Sequence, residues 1–138
     1  MYTFNIFDKP DGATKQPKEI HNSMPSFYTL TPKEGLKDCL LHYNISHPEI
    51  VYAQAILETG HFTSSVCTKN NNLFGLYNSK TKEFYHFNHW SESVEAYANM
   101  IQYRYDDSED YYNFLIRIGY AEDPNYINKL KAIENNNK

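Results

Sequence analysis

Through its first 30 residues the chain shows no sustained alternation of apolar and polar positions. Pro10, Gly12, Pro17 and Pro25 interrupt it, so residues 1–30 are expected to form an irregular arm. Periodicity begins at Thr31-Pro32-Lys33-Glu34. Thr31 can cap a helix, Pro32 suits the first helical position, and Glu34 completes a capping box. Leu36, Leu40, Leu41 and Tyr43 then supply one apolar face, and Asn44 a stop. A second start at Ser46-His47-Pro48-Glu49 carries the same capping pattern. The run Ile50 to Leu57 is apolar on nearly every face, which predicts a helix buried on all sides. A buried strand fits Ile50 to Ala53, but the alanines and the upstream cap favour helix. Gly60, just after Glu58-Thr59, stands where a helix ends.

Residues 61–90 read as irregular with a short hairpin. Asn78-Ser79-Lys80-Thr81 is the expected turn between two β-prone stretches, Leu73–Tyr77 and Glu83–Phe87. Ser91 is expected to cap a helix with Val94, Tyr97, Ala98, Ile101 and Tyr105 on one side. Ser108-Glu109-Asp110 opens a further helix through Phe114, Leu115 and Ile118, stopped by Gly119. Asp123-Pro124 opens the last, with Ile127, Leu130 and Ile133 at helical spacing and a frayed tail from Asn135. No internal repeat is evident. The architecture is mainly α with a small β excursion in the middle.

Length and composition narrow this further. A chain of 138 residues suits one domain, expected at residues 31–138, with a single core. The net charge of −4 and the absence of a basic stripe argue against nucleic acid as a partner. No run of 18 apolar residues predicts a transmembrane helix, and the first residues lack the pattern of a signal peptide. Cys39 and Cys67 do not make a disulfide framework; one bridge or two buried thiols both fit. The aromatic share is high, with 13 Tyr and 8 Phe. Tyr joins a flat apolar face to a polar tip, which suits a sugar-binding groove, although most of these residues are expected to fill the core.

Glu58 is the most unusual single position. It closes an apolar helix, where loss of hydration disfavours the charged form and raises the carboxyl pKa. The negative end of the helix dipole acts in the same direction. An acid that keeps its proton near neutral pH can donate it to a departing sugar oxygen. Position alone leaves open the bland alternative, a Glu reaching solvent past Gly60.

Four motifs in order bear on that choice. They are Gln54-Ala55-Ile56-Leu57-Glu58-Thr59-Gly60, Asn71-Asn72-Leu73-Phe74-Gly75-Leu76, Trp90-Ser91-Glu92-Ser93-Val94, and Gly119-Tyr120-Ala121-Glu122-Asp123-Pro124-Asn125-Tyr126. Together, over about residues 31 to 134, they resemble glycoside hydrolase family 73, bacterial N-acetylglucosaminidases of flagellar and autolysin type. The resemblance implies a lysozyme-like α+β fold with a helical lobe and a small β-hairpin lobe. It implies cleavage of β-1,4 bonds after N-acetylglucosamine in peptidoglycan glycan strands, with no cofactor. The family's general acid falls on Glu58, and the tyrosine of its Asp-Pro-x-Tyr motif on Tyr126. Asn72, Phe74 and Gly75 would form the floor and wall beside Glu58. Asn71 is expected to pin the turn, with Asn72 open between that role and an N-acetyl amide, and Phe74 leaning toward the core.

The chain departs from the pattern in two places. The β lobe is short, and Glu83 is its only acid before Glu92. Glu83 is therefore the candidate second carboxylate, against the reading of a solvated charge between Lys80 and Lys82. If it is idle, the substrate's own N-acetyl oxygen can act as nucleophile. The second departure, His61-Phe62 where relatives often have Trp-Gly, changes the groove rim and makes His61 a candidate substrate contact. His86-x-x-His89 would need a helix and a third ligand to hold a metal, and no metal is expected. Lytic transglycosylase or muramidase action on the same scaffold, and a catalytically silent glycan-binding module, are the competing functions. A monomer working at the cell envelope or outside the cell is expected from the substrate, in tension with the missing signal peptide.

Overall fold

The computed structural model describes residues 3–4 and 24–137, the former as backbone. Most of the predicted N-terminal arm thus lies outside the described residues. Thr3–Phe4 forms a short strand, β1, and Ser26–Thr29 a 3-10 turn. The helices are α1 (Pro32–His42), α2 (Pro48–Thr59), α3 (Ser65–Asn70), α4 (Trp90–Met100), α5 (Tyr111–Arg117) and α6 (Tyr126–Asn136). Strands β2 (Tyr77–Asn78) and β3 (Glu83–Phe84) form the expected antiparallel hairpin, and β1 pairs parallel to β2. The fold is mainly α with a small β lobe, in keeping with a lysozyme-like architecture.

Several helix starts have a local cause. In α1 the Thr31 hydroxyl accepts from the Glu34 amide, and the Glu34 carboxylate accepts from the Thr31 amide at 3.0 Å. This is the predicted capping box. Leu36, Cys39 and Leu40 face inward, whereas Leu41, expected on that face, is exposed. One residue past Leu40 turns the side chain about 100° away from the core.

The second predicted box does not form. His47, not Ser46, precedes α2, in a left-handed conformation and without a side-chain cap. The Ser46 backbone instead takes two of the three bonds of the Gln102 side-chain amide. At α4 the cap is His89 rather than Ser91. The His89 ring accepts from the Ser91 amide, and Glu92 closes the box from the third helical position. Ser91 is buried inside the helix. The helix α3 falls in the stretch expected to be irregular. Ser64 caps it, but its six residues carry no apolar period that would mark it in sequence. Leu73–Leu76, expected as strand, is a buried turn. The tail expected to fray stays helical through Asn136.

Helix α2 runs through the middle and packs chiefly against α6, with α1 on another side. Ile50, Val51, Ala53, Ala55 and Ile56 are all buried, as the apolar run predicts. Trp90 fixes α4 to the turn before α1, its indole N–H donating to the Leu30 carbonyl at 2.9 Å. The core extends from there through Tyr97, Phe114, Tyr120 and Leu130. Cys39 and Cys67 are two buried free thiols, and burial pushes both above the ordinary thiol range.

Candidate active site

Glu58 is the second-last residue of α2, and the turn after it is strained in a specific way. Gly60 ends the helix at φ +57, and His61 and Phe62 follow at φ +60 and +67. A left-handed conformation costs an L-residue about 1–2 kcal/mol, so two in a row after Gly60 need local support. Thr59 supplies it. Its hydroxyl donates to the Ala55 carbonyl at 2.6 Å and accepts from the Phe62 amide at 2.7 Å. The Thr63 and Ser64 amides both donate to the Thr59 carbonyl. The turn swings the chain sharply away from the carboxyl at the end of α2. His61 sits exposed on the rim of this turn.

The segment between α3 and β2 makes the opposing wall. Asn72 is wholly buried and satisfies four backbone groups. Its amide N–H2 donates to the Leu76 and Tyr85 carbonyls, and its oxygen accepts from the Phe74 and Leu76 amides. The open question about Asn72 resolves geometrically: its polar atoms are committed to the turn. Phe74 is wholly buried, packed against the Tyr97 ring at 4.7 Å. Neither side chain presents a surface to a ligand, so their expected substrate contacts give way to a role in shaping the wall. Asn71 donates to the Phe87 carbonyl at 3.0 Å, as the turn-pinning expectation has it.

The turn that Asn72 builds delivers Gly75 to Glu58. Gly75 has φ +62, and a β-carbon built there would lie 3.3 Å from Glu58 Oε2. Glycine is thus required twice, for the backbone conformation and for the close approach. From the other side, α6 brings Tyr126, the first residue of that helix, whose buried phenol accepts from Gln54 Nε2 at 3.1 Å and lies within electrostatic reach of the Glu58 carboxyl.

These surroundings set the acid's chemistry. Burial raises the Glu58 pKa above the ordinary carboxyl range, and the nearby Tyr126 hydroxyl partly offsets that rise. The Tyr126 phenol is itself driven far up by burial and by the neighbouring carboxyl, so it keeps its proton. Glu58 retains partial exposure, so the acid is desolvated yet reachable. The site therefore holds a carboxyl that can give up a proton, beside a neutral donor able to steady the carboxylate left behind.

A model of the glucosaminidase family, described as mannosyl-glycoprotein endo-beta-N-acetylglucosaminidase, matches residues 33–138. The chain belongs to this family. A search of curated proteins finds no match. Membership makes the general chemistry that of a glycoside hydrolase of glucosaminidase type acting on a glycan.

Within the glucosaminidase frame, Glu58 meets the Gly75 backbone, with Tyr126 near the carboxyl. Glu83 is exposed on β3, opposite Asn78. Among the described residues no cluster of His, Cys, Asp and Glu is arranged to hold a metal ion, and no helix is long and apolar enough to cross a membrane. A cavity of about 290 Å³ includes Tyr126 in its lining, with Asp123 and Pro124. Another, of about 330 Å³, lies on the far face between α1, α2 and the end of α6 and touches none of the three. Sequence reasoning missed Gln54 as part of the site. The signal was present: Gln54 is a polar residue in an apolar run, four positions before Glu58 and so on the same helix face.

Proposed function

We propose that this protein hydrolyses the β-1,4 bond after N-acetylglucosamine in peptidoglycan glycan strands, with Glu58 as the general acid. The observation that supports this best is the Glu58 carboxyl itself, its pKa raised by burial and its oxygen packed against the Gly75 backbone. A protonated Glu58 donates to the departing glycosidic oxygen. As negative charge develops on the carboxyl, the neighbouring Tyr126 hydroxyl can donate to it and steady it. His61, exposed beside this turn, is placed to meet the sugar on the rim. Because the glycan lies outside the cytoplasm, the protein would act at the cell envelope or beyond, as a monomer.

The test is digestion of purified sacculi by the parent and by Glu58→Gln, with products read by mass spectrometry. Reducing N-acetylglucosamine ends from the parent and a loss of at least a thousandfold in the variant are expected. A variant as active as the parent overturns the assignment. Anhydro-muramic ends would instead mean transglycosylase action, reducing muramic ends muramidase action, and binding without turnover a silent module.

A single observation favours one mechanism for the second half of the reaction. Glu83 is exposed on a two-residue strand. That exposure is a weak setting for a carboxylate that must steady positive charge on the sugar. It supports nucleophilic participation by the substrate's N-acetyl oxygen, a route some glycosidases take. Under it, Glu83→Gln keeps at least a tenth of parental activity. A loss as deep as that of Glu58→Gln would make Glu83 the second carboxylate.

A further inference from the structure

Directly after the right-handed helix that carries Glu58, the chain makes a left-handed turn. Gly60, His61 and Phe62 have φ of +57, +60 and +67. Glycine accepts that conformation freely. A bulky side chain such as that of Phe62 adopts it rarely, and such strain persists only where neighbouring groups over-determine it.

The competing arrangement is a continued α2. There the His61 amide would donate to the Leu57 carbonyl and the Phe62 amide to the Glu58 carbonyl. In the structure the His61 amide donates to the Ile56 carbonyl at 3.0 Å, and the Phe62 amide to the Thr59 hydroxyl at 2.7 Å. For Phe62, the Thr59 side chain thus replaces the carbonyl that a longer helix would offer. Thr59 is 1% exposed, and its hydroxyl donates in turn to the Ala55 carbonyl at 2.6 Å, which fixes its direction from the helix side. The Thr63 hydroxyl adds a bond to the Gly60 carbonyl at 2.7 Å, but from an exposed residue.

The two arrangements differ in what lies over the acid. Residues four apart share a helix face, and the later side chain leans back over the earlier one. A continued α2 would lay the Phe62 ring over Glu58, whose carboxyl already has the Gly75 backbone against one oxygen. In the left-handed turn the Phe62 ring packs on the edge of the core instead, and Glu58 keeps its partial exposure.

We propose that Thr59 is a positioning residue: its hydroxyl holds residues 60–62 in the left-handed turn and so keeps Phe62 off the face of Glu58. This rests on the reading of Glu58 as general acid. The two residues after the acid then have separate duties. Gly60 permits the reversal of hand, and Thr59 enforces it.

The test is kcat/KM on one soluble glycan for parent, Thr59→Ser and Thr59→Val, each also in a Phe62→Gly background. Valine keeps the shape of threonine without the hydroxyl. Thr59→Val is expected to lose about tenfold or more, the worth of the bond removed and the amide left unpaired, and Thr59→Ser to stay within about threefold of the parent. In the Phe62→Gly background neither the ring nor its strain remains, so Thr59→Val is expected to cost less than about threefold. A merely structural Thr59 would cost the same in both backgrounds, and that result overturns the proposal, as does a Thr59→Val variant as fast as the parent. The turn itself is read by NMR from the one-bond Cα–Hα couplings at positions 61 and 62, which separate positive from negative φ. Negative φ is expected in Thr59→Val, and φ that stays positive there overturns the proposal. Should Thr59→Val not fold, Gly60→Ala biases the same turn, because a β-carbon resists positive φ, and its loss must likewise shrink in the Phe62→Gly background. If Glu58→Gln is as active as the parent, it is the general-acid assignment that fails, and the couplings, which need no turnover, still decide whether Thr59 holds the turn.

Discussion

Gly75→Ala and Gly119→Ala form a pair that separates backbone strain from contact with the acid. Both glycines have left-handed φ, +62 and +67. An L-residue there costs about 1–2 kcal/mol, and the stiffer unfolded chain returns up to about 1 kcal/mol. A net loss of about 1 kcal/mol is expected for each, a fall in Tm of roughly 4 °C for a chain of this size. The two differ in what the new methyl meets. At Gly119 there is nothing within 4 Å, whereas at Gly75 Glu58 Oε2 lies at 3.3 Å. The carboxyl must retreat by a few tenths of an ångström, and the methyl shields it further from water. Misplacement by about 1 Å can cost a hundredfold in rate, so a shift of this size is worth about tenfold. Thermal melts and initial rates on sacculi check both halves. Matching Tm losses with a rate defect confined to Gly75→Ala are expected. Equal rates in the two variants would refute the reasoning that the glycine serves the acid.

Glu58→Gln should change stability with a defined sign. A carboxyl whose folded pKa is raised binds its proton more tightly in the folded state, so stability is lost as pH rises from the ordinary carboxyl value through the raised one. The variant is therefore expected to melt above the parent at pH 7 and level with it near pH 4, by calorimetry. Asn72→Ala leaves the Phe74 and Leu76 amides without their partner in the core and takes one bond from each of the Leu76 and Tyr85 carbonyls; a loss of about 3 kcal/mol is expected in urea titrations. Thr31→Ala removes one half of the α1 capping box and should cost about 1 kcal/mol, with activity unchanged.

What sequence could reveal followed the range of the forces involved. The α1 box and the Gly60 terminus are local, made by residues within four positions of one another, and both were readable. Ser46 and Ser91 were read as caps by the same local rule and lost to tertiary partners. Gln102 takes the Ser46 backbone, and His89, tied to the Tyr28 carbonyl, displaces Ser91. Helix α3 is short and polar and leaves no periodic trace. At the site, Glu58, Gly75 and Tyr126 were marked by motifs. Gln54 and Tyr126, joined by a buried hydrogen bond, stand 72 positions apart, and no local pattern encodes such a pairing.

The two thiols have a bearing on where such a fold can be made. Cys39 and Cys67 are unpaired and shielded, and their raised pKa values keep them from the reactive thiolate form. The native state therefore requires no oxidation step and no isomerase to reach its final connectivity. It can mature in a glutathione-rich interior or in an oxidising exterior and arrive at the same molecule, whatever the redox potential around it.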